Sequence, residues 1–531
     1  MKNAFAKKTG SWSTRCTLSI ALALLGTAAV QAQTLNVVMA SKLTVLDPVL
    51  TASHQTRNHG YMIYDTLLAT DADNKIQPQM AEKWSVSDDG KTYTFVLRDG
   101  LKWHDGTPVT AEDCVASIKR WAQQDKVARQ MMPHLASMNV VDDKTFTVAF
   151  NRPVDFAVAL GKPSGLPSFM MPKRVAETPA TQAITDYTGS GPFKFVQAQF
   201  QPGVKTVYEK NTDYVPRNEP ASATAGGKQV FVDKVQWIAM PDAITGVNAL
   251  MGGEVDYLET VPFDMTPLVQ RAPGVTMKVI DKLGMQPMYR FNQLQAPFNN
   301  KQIRQAAMYA VGQENILKAQ VGDPAFYKTC GAVFGCNLPY SSDVHADMIV
   351  APNVEKAKAL LKEGGYNNEP VVILHATDIP TASALPVVMA QQLRQAGFNV
   401  SLQAMDFMTM LSRRANRDTT AKGGWSIFVT TWHVSEIMDP LRNYGVSANG
   451  EKAWFGWPTV PQVESLREEF LVATSDDQRK QVAEKLQDVM LDEGVAITLG
   501  EIHTAAAYRD TVSGVLESPA PVFWNIKKAA K

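Results

Sequence analysis

Strand-like alternation and helical spacing take turns along this chain. Residues 91–97 (KTYTFVL) alternate polar and apolar, and Asp89-Gly90 just before them is a turn signal, which predicts a strand leaving a hairpin. Asp99-Gly100 and Asp105-Gly106 mark further turns. Thr110-Ala-Glu-Asp113 has the form of a capping box and opens a helix whose Val115, Ile118 and Trp121 share one face. Val354, Ala357, Leu360 and Leu361 predict a helix that stops at Gly364-Gly365, before an apolar strand at 371–374. Leu385, Val388, Met389 and Leu393 predict another, ended by Gly397 and followed by alternating Phe398, Val400, Leu402 and Ala404. Ser475 and Gln478 suggest a second capping box, with Val482, Leu486, Val489 and Met490 on one face and Gly494 as the stop. Helix and strand repeated in this way predict a mixed α/β (α+β) chain. Residues 218–228 (NEPASATAGGK) carry no periodicity and read as an exposed loop.

The N-terminus follows a different pattern. Lys2, Lys7, Lys8 and Arg15, with no acid among them, precede an apolar run at 17–25 and small residues ending Val30-Gln31-Ala32. This is the three-part form of a secretory leader cleaved before Gln33, so residues 1–32 are expected to be removed. The apolar run falls well short of the ~20 residues of a membrane span. Cys16 precedes that run, so no lipid anchor is expected. The remaining chain is too long for one hydrophobic core and implies two or three domains. Lys plus Arg and Asp plus Glu each number 52. Loss of the leader's four cations tips the balance mildly acidic, which argues against nucleic acid as a partner.

Export permits a disulfide between Cys330 and Cys336, which bracket the loop CGAVFGC. Two free thiols are the alternative, and so short a loop would make only a local staple. Cys114 lies in a predicted helix and reads as a buried, inert thiol.

Enzyme signatures are absent: there is no H-E-x-x-H, no G-x-S-x-G and no phosphate-binding G-x-x-x-x-G-K-[ST]. The eight histidines are scattered, so neither a metal site nor a cofactor is expected. Ligand chemistry concentrates instead between Trp425 and Trp457. There a strand-like run leads into Trp432, His433, Glu436, Asp439 and Arg442, and a second aromatic cluster holds Trp454 and Trp457. Rings beside a few polar groups suit a closed pocket, where they exclude water and stack on a solute. Core packing of Trp432 with a solvated Glu436 is the other reading, and Asp439 could simply cap the next helix. Trp454 and Trp457 could equally stabilise an irregular loop. Tyr289, Arg290 and Asn292 lie on a strand-like run whose alternate residues face opposite sides. There Arg290 could meet a carboxylate or make an internal ion pair. Arg413, Arg414 and Arg417 read as a solvated helix face from which one could reach a ligand carboxylate.

Several blocks resemble the extracytoplasmic solute-binding proteins of family 5, the peptide- and nickel-type binding proteins. The closest is residues 81–121, with its L-R-D-G-L-K-W-H-D-G turn and capped helix. Residues 61–68 (YMIYDTLL), Gly189-Ser-Gly191-Pro-Phe193, residues 250–256 (LMGGEVD), and Asn292, Pro297, Phe298, Arg304, Gln305 and Ala306 are similar to further family blocks. The resemblance implies a two-lobed periplasmic-binding-protein fold. Residues 33–285 plus 502–531 would form lobe I, with a subdomain of about 70–190 inserted, and residues 286–501 would form lobe II. Hinges would lie near 284–292 and 499–505. It also implies a soluble, monomeric periplasmic protein that captures a small peptide or peptide-like solute and delivers it to an ABC permease in the inner membrane. The loop from Leu46 to His54 would face the ligand. Relatives that bind peptides place an acid for the ligand's amino group just before an Asp-Pro. Here Asp439-Pro440 matches, but Ser435 and Glu436 stand upstream with one residue more after Trp432. A metal-chelate, an opine-like compound or an oligosaccharide therefore stays open as cargo, as does a chaperone or signalling role.

Overall fold

In the computed structural model, residues 33–529 are described; the expected leader at 1–32 lies outside them. The hairpin predicted after Asp89-Gly90 belongs to a four-stranded antiparallel sheet in the order Ala81–Val86, Thr92–Leu97, Thr145–Phe150, Leu135–Val140. Its two central strands alternate between buried and half-buried positions along their length, as their sequences do. Helix Ala111–Ala122 packs on this sheet. Thr110 accepts from the Asp113 N–H while the Asp113 carboxylate accepts from the Thr110 N–H, so the capping box is complete. Cys114 is buried and free there, and burial pushes its thiol up.

Two larger mixed sheets make up the rest of the framework. The first has seven strands in the order Val275–Val279, Ala505–Arg509, Tyr257–Leu258, Thr34–Val38, Lys234–Ile238, Lys205–Lys210, Phe193–Phe195. Thr34–Val38 runs parallel to both its neighbours, and the remaining pairs are antiparallel. The second sheet runs Tyr327–Lys328, Glu501–Ile502, Met285–Phe291, Ile427–His433, Pro370–Ala376, Asn399–Met405, with Ile497–Thr498 also paired to Met285–Phe291. The chain passes from the first sheet to the second between Val279 and Met285, and returns between Ile502 and Ala505. The predicted helices appear as Val354–Glu363 and Leu385–Gln395, and each leads into a strand of the second sheet. One continuous hydrophobic cluster joins Phe95, Trp121 and Phe146 of the four-stranded region to Phe291, Ile427 and Leu486.

Two local expectations differ from the structure. Ser475 caps helix Asp476–Asp492, but Gln478 turns back to the backbone and hydroxyl of Thr474 rather than to Ser475, so no reciprocal box closes. The segment 218–228 is an exposed loop only at its start: residues 218–220 are exposed, whereas 223–228 are buried. The Lys228 side chain is wholly inaccessible and pairs with Asp65 at 2.7 Å, over the ring of Trp524. Polar, glycine-rich composition hid this, because the driving contact comes from residues far away in sequence.

The G-S-G-P-F turn has a steric reason. A Cβ at Gly189 would lie 1.7 Å from the carbonyl oxygen of Ile63, and one at Gly191 would meet the same peptide at 2.7 Å. Only glycine lets these two backbones touch. Cys330 and Cys336 are joined by a disulfide, which leaves no thiolate for a metal beside Glu501. Among the described residues, no helix is long and apolar enough to cross a membrane.

Candidate ligand-binding site

The strand Ile427–His433 lies antiparallel to Met285–Phe291, with His433 opposite Met285 and Trp432 opposite Gln286. This register carries Trp432 and His433 to the end of the second sheet where the chain crosses from the first. There His433 Nδ1 lies 2.9 Å from Asp281 Oδ2, a residue of the crossing segment. His54, which opens helix His54–Ile63 from the first half of the chain, meets the His433 ring edge-on at 4.4 Å between centroids. His54 Nε2 lies 3.4 Å from Glu436 Oε1. The same carboxylate oxygen accepts the N–H of Gly165 at 3.1 Å, and the hydroxyls of Ser164 and Ser435 stand 2.7 Å apart. Residues from both halves of the chain thus converge on one point.

The His54 side chain keeps 38% of its surface accessible. Even so, its imidazole is pushed down to about 4, by burial first and then by His433, against the pull of Glu436. The His54 side chain is thus reachable from solvent where the two halves of the chain meet. Burial alone would raise the Glu436 carboxyl, but His54, His433 and Arg57 outweigh it and hold the group below the usual carboxylate range. At neutral pH, therefore, a neutral imidazole faces an ionised carboxylate, and their contact is a hydrogen bond rather than an ion pair. Nearby, Glu259 accepts from the Ala40 N–H at 2.7 Å and from Asn58 Nδ2 at 3.3 Å. Burial raises its pKa, opposed by those donors, Arg57 and His433. Arg57 is buried and gives its Nε and Nη2 to Asn58, and its Nη1 has no partner.

An aromatic wall backs this polar cluster. Trp432 packs on Trp454 at 4.9 Å, Trp454 on Phe428 at 5.2 Å, and Trp457 on Trp425 at 5.8 Å. Trp432 stays half-buried, whereas Trp454 and Trp457 are buried. The structure brings Trp432, His433, Glu436 and His54 together, with Trp454 directly behind.

The other sequence candidates stand behind the cleft or apart from it. Arg290 has no accessible surface; it donates to the carbonyls of Gly445, Ser447 and Trp454 and so pins the loop that carries Trp454. Asn292 is buried, donates to the Trp425 carbonyl and accepts from the Leu294 N–H. Tyr289 is buried in the main core beside Phe291. Asp439 accepts from the N–H groups of Leu441 and Arg442 and pairs with the Arg442 guanidinium at 2.9 Å, so both are spent on shaping their own turn. Trp457 adopts a φ of 49° with the Arg417 guanidinium 5.0 Å above its ring. Sequence reading missed Asp281, Ser164, Gly165 and Arg57, which carry no motif and become neighbours only through the sheet crossing.

Comparison with known proteins places these observations. Residues 75–454 match the bacterial extracellular solute-binding proteins, family 5. The chain is 39% identical to the probable peptide ABC transporter periplasmic-binding protein y4tO of Sinorhizobium fredii, over 92% of each chain. It superposes on the dipeptide-binding protein of Pseudoalteromonas sp. SM9913 solved with Met-Leu, with a TM-score of 0.78, 18% identity, and 93% of this chain and 100% of the other covered. Against the periplasmic binding protein DppA of Helicobacter pylori, solved with the peptide STSA, the TM-score is 0.77 at 20% identity, covering 94% and 98%. The mixed α/β framework is therefore the two-lobed fold of the periplasmic binding proteins.

Proposed function

The chain belongs to the bacterial extracellular solute-binding proteins of family 5, and from that premise we propose that it captures a small peptide or peptide-like solute for an ABC importer. In this reading it is an exported periplasmic protein that hands its cargo to an inner-membrane permease. Lobe I then comprises 33–284 and 503–531, including the subdomain of about 70–190, and lobe II comprises 285–502, one residue from the expected boundary at each crossing because Met285 and Ile502 pair within the second sheet. The crossings at 280–284 and 503–504 act as hinges, the first of them earlier than the expected 284–292, where Met285–Phe291 is a strand of the second sheet, because short linking segments absorb the backbone change of closure. The observation that carries the reading is the convergence of His54 and Gly165 from one lobe on Glu436 from the other, in front of Trp432. Closure completes this constellation, so a solute held there stabilises the closed form.

The cargo class has one competitor. Both partners of Glu436 Oε1 are supplied by the protein, which leaves this carboxylate less free for a peptide amino group than an open acid would be. An opine-like acid that needs no such anchor is the alternative. Calorimetry of the mature protein against di- to tetrapeptides and amino-acid–sugar conjugates separates the two. Trp432→Ala is expected to weaken the cognate solute about tenfold or more, the loss typical of a buried aromatic contact. Unchanged affinity would place the pocket elsewhere.

A further inference from the structure

The Ser164–Gly165 peptide that meets Glu436 is built around a buried cation. Lys162 precedes it by two residues, and its side chain is only 5% exposed. An ammonium has three protons to give, and three acceptors surround this one. Nζ lies 2.7 Å from Asp125 Oδ2, 2.6 Å from the Leu166 carbonyl oxygen and 3.3 Å from that of Ser164. The loop thus folds back on the head group of its own lysine. Tyr61 Oη donates to the Pro163 carbonyl at 3.1 Å and Trp121 Nε1 to that of Leu166 at 2.7 Å, which fixes the loop on either side. Gly165 takes a φ of 69°, in the left-handed region where a side chain is strained. A Cβ there would stand 3.5 Å from Lys162 Nζ.

The Ser164 C=O and the Gly165 N–H are the two ends of one peptide group. Its oxygen accepts from Lys162 within lobe I, and its N–H donates to Glu436 Oε1 of lobe II at 3.1 Å. A planar trans peptide points those two bonds in opposite directions, so fixing the oxygen aims the N–H. A cation on the oxygen also polarises the amide, and linked hydrogen bonds strengthen one another by roughly 10–30% per bond. The carboxylate end of the ion pair reaches the same boundary. Asp125 Oδ1 caps Val127 and Ala128 of helix Lys126–Met131. From that helix Gln130 donates to the Leu441 carbonyl at 3.3 Å and accepts from Arg467 Nη2 at 2.9 Å. Two contacts across the boundary thus hang from one buried pair.

We propose that Lys162 is a positioning residue for closure: its ammonium sets the strength of the Gly165–Glu436 contact through the intervening peptide, although its own partners all lie in lobe I. The grip of lobe II is then adjusted from inside the other lobe. This rests on the reading of the Glu436 constellation as the contact that closure completes, and it holds whatever the cargo.

The test reads the Gly165 amide itself. Hydrogen exchange is followed by NMR on the mature protein as purified from periplasm, isotope-labelled at the glycine nitrogens, with Gly165→Ala identifying the peak. Asp125→Asn serves as the reference, because asparagine keeps the helix cap and leaves no stranded carboxylate when Lys162→Met is added. Glu436→Ala is expected to speed Gly165 exchange about tenfold or more, the loss of one charge-assisted hydrogen bond. Asp125→Asn/Lys162→Met should speed it several-fold over Asp125→Asn alone, and adding Glu436→Ala should then bring less than it does in the wild type. Gly161, which ends helix Phe156–Gly161 just before Lys162, should exchange as in the reference. Gly165 exchange that answers to Glu436 but not to Lys162 would overturn the proposal and leave the closing contact standing. Equal acceleration at Gly161 would make Lys162 a support for the fold alone, and would overturn it too. Exchange indifferent to Glu436→Ala would refute the closing contact itself, and the proposal with it.

Discussion

Removing the Lys228 ammonium tests whether the 218–228 segment is held by its buried ion pair. Lys228 and Asp65 are both inaccessible, 2.7 Å apart, and Asp65 also accepts from Tyr214 Oη at 2.8 Å and the Thr66 N–H at 3.0 Å. Lys228→Met keeps the stem that packs near Trp524 but leaves the Asp65 carboxylate without its counter-charge. Breaking one side of a buried pair costs roughly 3–5 kcal/mol, most of it from the stranded charge rather than from the lost attraction. The two remaining donors to Asp65 place the expectation at the lower end, about 3 kcal/mol. Asp65→Asn added to Lys228→Met should recover about half, since a neutral amide can keep the Tyr214 contact. The assay is urea unfolding followed by tryptophan fluorescence, to which Trp524 contributes from 4.7 Å beneath the ammonium. A single-mutant loss under about 1 kcal/mol, or a double mutant worse than the single, would refute the stranded-charge reasoning.

Two further outcomes follow from the cleft and the fold. His54 has its pKa lowered from 6.5 to about 4, so the folded state resists its protonation; the stability tied to the neutral imidazole is intact above about pH 6.5 and falls away as pH drops toward 4. His54→Gln should flatten that part of a melting-temperature profile between pH 7 and 4, and an unchanged slope would show that His54 is not the group titrating. Gly189→Ala should lower the melting temperature and yield by an overpacking cost of roughly 1–3 kcal/mol or more, since its methyl would overlap the Ile63 carbonyl; an undiminished melting temperature would mean the turn can move aside.

Local chemistry was legible in the sequence wherever the residues that decide a feature are close together in it. The Thr110–Asp113 box, the alternating 91–97 strand and the helices stopped at Gly364 and Gly397 all obey short-range rules, and the structure places them accordingly. Trp432, His433 and Glu436, which the structure brings together with His54, stood out as candidates because rings and charges cluster within a few residues. Arg290 reads the same in sequence whether it serves a solute or a loop. Only the approach of Gly445 and Trp454, more than a hundred positions on, assigns its donors.

The placement of the Ala505–Arg509 strand bears on how the molecule comes into being. It lies between Val275–Val279 and Tyr257–Leu258, and Lys528 ties onto Asp256 and the Thr34 carbonyl. The first sheet therefore has a gap until the end of the chain arrives. Synthesis cannot leave a finished N-terminal half waiting for the rest; the last segment to emerge closes the first structure to begin. Such long-range pairing slows folding, and it keeps this sheet open until the C-terminal segment is free to pair.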